Sequence, residues 1–284
     1  MNKLKFILAL IILGSLAAAG CSSNDESAGA KLKIAVTIAP QQGIVEAVAG
    51  ELAEVVTLVP KGASPETYEA TARQIEEFSQ ANVYFTLGLP SESARVIPDT
   101  GGTLVVDLGA VVSDVYPDRT FDGADRDPHI WLSPKRVMVM VREITVILSE
   151  LDPVNEETYA RNADDYLHQL EALDTEIMSL MNARQQKKLI IYHPSLGYFA
   201  EDYGLEMFAL EEEGKEADAA HLKELVDFAK AEGLKAVFAT DEAETRQIEA
   251  FAEEIGGKVI SLKALESEYI GSMKKLAQAI AGAY

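Results

Sequence analysis

Asn155–Ala183 reads NEETYARNADDYLHQLEALDTEIMSLMNA, with no Gly or Pro to interrupt it. Tyr159, Tyr166, Leu170, Leu173, Ile177 and Leu180 keep mostly three-to-four spacing, which predicts one apolar face on one long helix. At about 1.5 Å per residue such a helix is roughly 40 Å long, enough to run down the side of two lobes. Asp152-Pro153 separates it from an upstream apolar helix over Val137–Leu151. Ser133-Pro134 marks the start of that helix, a capping hydroxyl followed by Pro in the first turn.

On both sides of this helical pair the pattern alternates. Upstream, strands are expected at Lys31–Thr37, Glu54–Val59, Val83–Leu87 and Thr103–Leu108, with helices at Ile44–Glu51 and Thr71–Gln80. Ser91–Gly102 and Ser113–Asp127 are turn-rich and read as loops. Downstream, strands are expected at Lys188–Tyr192, Glu206–Leu210, Ala236–Ala239 and Lys258–Leu262. Helices are expected there at Leu196–Tyr203, Ala219–Glu232, Glu242–Ile255 and Tyr269–Ala281. Alternation of this kind builds parallel sheets flanked by helices. The expected fold is therefore α/β: two lobes with parallel sheets joined by one long rigid helix, with a ligand cleft between the lobes at strand C-terminal ends. The expected boundaries are an N-terminal lobe over 31–152, a linking helix over 153–185 and a C-terminal lobe over 186–284.

The N-terminus predicts export. Lys3 and Lys5 precede an apolar stretch, Phe6–Leu16, that is too short to span a bilayer. Ala17-Ala18-Ala19-Gly20 then leads to Cys21, the one cysteine of the chain. Residues 1–20 read as a lipoprotein signal peptide, with Cys21 as the lipidation site. Ser22–Ala30 is small and polar and reads as a flexible tether. With Cys21 used as an anchor no internal disulfide can form, so stability must come from a core. The expected location is extracytoplasmic, lipid-anchored at the outer face of the cytoplasmic membrane or in the periplasm.

The formal charge of −21 argues against nucleic acid as a partner. No His-Glu-x-x-His, Gly-x-Ser-x-Gly or Gly-rich phosphate loop is present, so an enzyme is not expected.

Two of the four histidines sit beside Pro at the ends of expected elements: His129 in Asp127-Pro128-His129-Ile130-Trp131-Leu132-Ser133-Pro134, and His193 in Tyr192-His193-Pro194. Either alone reads as a hydrogen-bonded structural residue. At matching positions in the two lobes they read as convergent ligands for a transition-metal ion. His168, on the polar face of the long helix, and His221, at a helix start, read as surface residues.

On these segments the chain resembles the metal-binding receptors of zinc and manganese ABC importers, the cluster A-I solute-binding lipoproteins. Gly62–Thr71 is similar to the family's Gly-x-x-Pro-His-x-Tyr-Glu-Pro-Thr loop, and Asp127–Pro134 to its second-ligand motif. Tyr192–Phe199 is similar to its third-ligand segment, and Glu211–Glu216 to a further signature. The resemblance implies two α/β lobes with a rigid connecting helix, a monomer, and delivery of a bound ion to a membrane permease driven by its ATPase. It implies metal ligation by His129, His193 and Glu66, with zinc favoured and manganese or iron as alternatives for the transported ion. Two positions depart from the pattern: Glu66 stands where the family has His, and Lys263 stands where it has an acidic ligand.

Three arrangements follow from these departures. His129, His193 and Glu66 bind an ion, with water or Asp241, Glu242 or Glu266 as fourth ligand. Alternatively, Lys263 pairs with Glu66 inside the cleft and lowers metal affinity. In the third, the cleft serves an anionic or metal-chelate ligand with Lys263 as counter-charge. An adhesin-like lipoprotein without metal is a further class. The histidine-rich loop of many zinc-type members is absent, and Ser113–Asp127 is acidic instead.

Overall fold

The computed structural model describes residues 31–92, 102–121, 125–211, 218–240 and 246–283. Cys21 and the tether, like Asp241 and Glu242, lie outside the described residues.

In chain order the elements are β1 (Leu32–Val36), α1 (Ala39–Ala49), β2 (Ala53–Thr57), α2 (Ala72–Phe78), β3 (Val83–Thr86), β4 (Leu104–Asp107) and α3 (Leu108–Ser113). Then come β5 (Thr120–Phe121), β6 (Asp125–Arg126), α4 (Pro134–Leu151) and α5 (Glu156–Ala183). The rest are β7 (Lys188–Ile191), α6 (Gly197–Asp202), β8 (Glu206–Ala209), α7 (Ala219–Glu232), β9 (Ala236–Thr240), α8 (Arg246–Glu254), β10 (Lys258–Leu262) and α9 (Tyr269–Ala281).

Two parallel sheets result, in the orders β2-β1-β3-β4 and β10-β9-β7-β8. Their central strands are near-continuous apolar runs because helices cover both faces. All of Val83–Thr86 in β3 and all of Ala236–Thr240 in β9 are buried. Each sheet changes strand order beside its first strand, so the loops after β1 and β3 diverge, as do those after β7 and β9. Clefts form at such switch points.

The long helix forms as its spacing predicts. Tyr159, Ala163, Tyr166, Leu170, Leu173, Ile177 and Met181 make one buried face on α5, which packs against α4, α9 and α1. Each of the large apolar side chains on that face contributes about 1.5–3 kcal/mol by leaving water. Upstream, Ser133 caps α4 by accepting from Arg136 N at 3.2 Å. One apolar core runs from Ile34 and Ile44 through Ile144 and Leu170 to Leu189, Phe238 and Leu276, and so passes through both lobes. A smaller cluster around Ile190, Val237, Leu225 and Phe251 fills the far side of the second sheet. No helix among the described residues is long and apolar enough to cross a membrane.

Two local expectations are corrected. The first helix begins at Ala39, not Ile44. The Gln41 carbonyl accepts from Thr37 N at 2.9 Å and Ile38 N at 3.2 Å, which turns the chain into a helix directly after β1. Within Ser113–Asp127, expected to be all loop, β5 and β6 pair antiparallel with Thr120 opposite Arg126.

Candidate metal centre

Glu66 sits in the loop between β2 and α2. Ser64 shapes this loop: its carbonyl accepts from Tyr68 N at 3.0 Å and its hydroxyl accepts from Glu66 N at 3.3 Å. His129 ends the segment after β6, just before a single 3₁₀ turn at Ile130–Leu132. His193 lies two residues past β7. Parallel pairing of β7 with β8 brings Glu211, two residues past β8, beside it.

Glu66, His129 and His193 place ligand atoms within 4.8 Å of one another. The two Nε2 atoms of His129 and His193 are 3.3 Å apart. Glu66 Oε1 lies 3.6 Å from His129 Nε2 and 2.5 Å from His193 Nε2. Ligands on a tetrahedral zinc ion with bonds of about 2.0–2.1 Å stand about 3.4 Å apart. Two of the three separations already match that spacing. The third is a hydrogen-bonded ion pair that an entering cation would open.

Each imidazole is oriented from behind. Asp127 Oδ1 accepts from both the backbone N of His129, at 3.0 Å, and its Nδ1, at 2.7 Å. Glu211 Oε2 lies 2.9 Å from His193 Nδ1. A carboxylate on Nδ1 leaves Nε2 of the neutral ring as the lone-pair donor, the usual arrangement behind a metal-bound histidine. Gly197 makes room for the first of these pairs, since a Cβ there would lie 2.8 Å from Asp127 Oδ2.

Protonation follows the same contacts. Burial opposes ionisation of Glu66, but the neighbouring imidazoles of His129 and His193 outweigh it and hold its pKa at about 2. Burial disfavours the cationic form of His193, yet Glu211 and Glu66 together push its pKa up to about 9. His129 is likewise raised, with Asp127 and Glu66 overcoming the cost of burial. The cleft thus carries protons where a divalent cation's charge would sit.

The three residues line a cavity of about 950 Å³ whose walls come from both lobes. The lobes are tied at that wall. Trp131 Nε1 donates to the Ala264 carbonyl at 3.2 Å, and Tyr269 OH donates to the Trp131 carbonyl at 2.8 Å. Tyr198 OH donates to the Asp127 carbonyl at 3.0 Å and accepts from Arg119 N at 3.1 Å. Further out, buried Arg136 pairs with Asp202 at 3.0 Å and stacks 4.2 Å above Tyr198.

One of the three arrangements pairs Lys263 with Glu66 inside the cleft, and the structure does not show that pair. The Lys263 side chain is 63% exposed, with the ammonium 4.0 Å from Glu266. Glu266 in turn faces Lys61 at 3.0 Å rather than the two histidines. The tie from Trp131 to Ala264 fixes the strand exit so that Ala264 and Leu265, not Lys263, face the cavity. His168 is exposed as expected. His221 is half-buried, with Nε2 3.1 Å from the Ala209 carbonyl, because α7 packs back on β8. The orienting roles of Asp127 and Glu211 were missed. Asp two residues before His is a local signal for the first, whereas the second depends on strand pairing.

Residues 34–283 match the family described as zinc-uptake complex component A, periplasmic. The chain is 31% identical to the manganese-binding lipoprotein MntA of Halalkalibacterium halodurans, over 84% of this chain and 81% of that protein. It is 28% identical to the zinc-binding lipoprotein AdcA of Streptococcus pneumoniae serotype 4, over 94% of this chain. It spans only 56% of that relative's length. Among solved structures, a crystal structure of ZnuA superposes with a TM-score of 0.84 at 35% identity, covering 89% of this chain and 99% of that one.

Proposed function

Because this chain belongs to the zinc-uptake complex component A family, we propose that it is the extracytoplasmic receptor of an ABC importer that captures a divalent transition metal, zinc in first place, and hands it to a membrane permease powered by an ATPase. One observation carries the reading. Two histidine Nε2 atoms and one carboxylate oxygen converge, and each histidine is held from behind by its own carboxylate. Two imidazoles and a carboxylate suit zinc, whereas manganese favours more oxygen donors.

Capture proceeds by exchange. The cation replaces the protons that bind Glu66 to His193 and His129, and Glu66 moves from its 2.5 Å contact with His193 to ligand spacing. Asp127 and Glu211 keep the rings in place meanwhile. The ties between the lobes leave entry to the Glu66 loop rather than to wide opening of the whole molecule. Cys21 serves as the lipid anchor that keeps the receptor at the membrane, and the receptor acts as a monomer.

Isothermal titration of the metal-stripped protein with zinc, manganese and iron(II) tests this. Saturable one-to-one binding, tightest for zinc and lost in His129→Ala, is the expected result. Binding of none of the three by a chain that still melts cooperatively would sink it.

A further inference from the structure

Four features of the cleft fit a ligand larger than an ion. The first is size. The cavity is about 950 Å³, whereas a water molecule occupies about 30 Å³ and sites for organic ligands run from about 300 to 1,000 Å³. The second is permanence. Trp131 and Ala264 are wall residues and are also bonded across the lobes, so this part of the wall is held in place by a bond between them.

The third is a fixed cation in the wall. Arg126 lines the cavity and is anchored through Nη2, 3.2 Å from each oxygen of Asp107. Its guanidinium lies where a side chain at position 109 would stand, because a Cβ on Gly109 would be 2.4 Å from Nη2 and 2.6 Å from Cζ. The seat for this arginine is therefore built into the backbone. Thr67, Thr240, Phe121 and Leu265 also line the cavity. The fourth is donor count. Among the described residues three protein donors converge, so an ion that takes four or more ligands has at least one position open to a further donor, a chelator atom or a residue outside the described ones.

We propose that the cleft takes its divalent metal as a complex with a small carboxylate-bearing chelator. Glu66, His129 and His193 hold the ion, and Arg126 with Thr67 and Thr240 receives the chelator's carboxylate. Guanidinium is the side chain best matched to a carboxylate, through paired N–H donors. This inference rests on the metal-capture reading above and names the form in which the cargo arrives.

Cobalt(II), whose visible bands report coordination, separates the two. The metal-stripped protein is loaded with one equivalent of cobalt and titrated with picolinate, and in parallel with pyridine, which lacks the carboxylate. Picolinate is expected to shift the bands in one saturable step, with cobalt and picolinate both retained one-to-one after desalting. Picolinate should bind the loaded protein at least tenfold more tightly than pyridine. Arg126→Gln should shrink that ratio about tenfold, and Ala264→Phe, which fills the wall, should weaken both ligands. Bands that stay in place while cobalt remains bound would show a shell, completed by protein or water, that takes no donor from the chelator. That result would overturn the inference and leave metal capture standing, as would picolinate stripping the cobalt into the filtrate. Failure of cobalt to bind, with or without picolinate, would overturn both.

Discussion

The two cleft histidines are held in opposite ways. His129 is fixed by its own turn. Asp127, two residues earlier, grips both its backbone and its ring, and Trp131, two residues later, packs 5.1 Å from it between ring centroids. It is 3% exposed. His193 is more open and is steadied by Glu211, eighteen residues away in sequence and adjacent only because β7 and β8 pair. One ligand is thus prepared by local chemistry and the other by the sheet. The first lobe presents a rigid imidazole, and the second presents one whose position depends on the lobe's assembly.

Removing either ring tests what they share and has the largest expected effect. His129→Ala and His193→Ala should each abolish the zinc-induced rise in melting temperature, while exposed His168→Ala keeps it. Equal losses in all three would dissolve the assignment. Next comes the contact that registers one histidine's lobe against the other. Asp202→Ala leaves Arg136 buried and unpaired, so urea unfolding should show a loss of about 3–5 kcal/mol. A loss below about 1 kcal/mol, the range of exposed pairs, would mean the strut is idle.

The orienting carboxylates then sharpen the comparison. Asp127→Ala and Glu211→Ala should each weaken zinc about 10- to 100-fold by titration. Asp127→Ala should destabilise the metal-free fold by about 1–3 kcal/mol and by more than Glu211→Ala, because it alone orphans a buried backbone N–H. Equal destabilisation by the two would contradict the local-versus-sheet distinction. The smallest effect is expected at Lys263→Ala, which should leave zinc affinity within about twofold, since a largely exposed ammonium 4.0 Å from Glu266 is screened from the ion. A tenfold gain would place that ammonium inside the cleft.

This division also explains what could be read from the sequence. The long helix was legible because its apolar positions repeat with the helical period and nothing breaks the run. His129 and His193 were legible because each lies beside Pro at the end of an element, whereas Glu66 was legible only through the resemblance of Gly62–Thr71 to the family's first-ligand loop. The role of Glu211 was not, since it exists only once β8 lies against β7. The start of α1 was misplaced because the deciding interaction is a side-chain carbonyl, Gln41, closing on Thr37 and Ile38, and hydrophobic spacing carries no trace of it. The direction of Lys263 was likewise set far away, by the bond from Trp131 to the Ala264 carbonyl.

The apolar core that runs from Ile44 through Leu170 to Leu276 has a consequence for how this protein answers its cargo. Two lobes with separate interiors would melt in two steps, and a ligand bridging them would shift each unequally. A shared interior makes unfolding one event, so an ion held by three side chains at the cleft defends the far end of α9 as firmly as the near end of α1. Occupancy is thereby written across the whole molecule, and a protease or a rising temperature reads loaded and empty receptors as two proteins of different endurance.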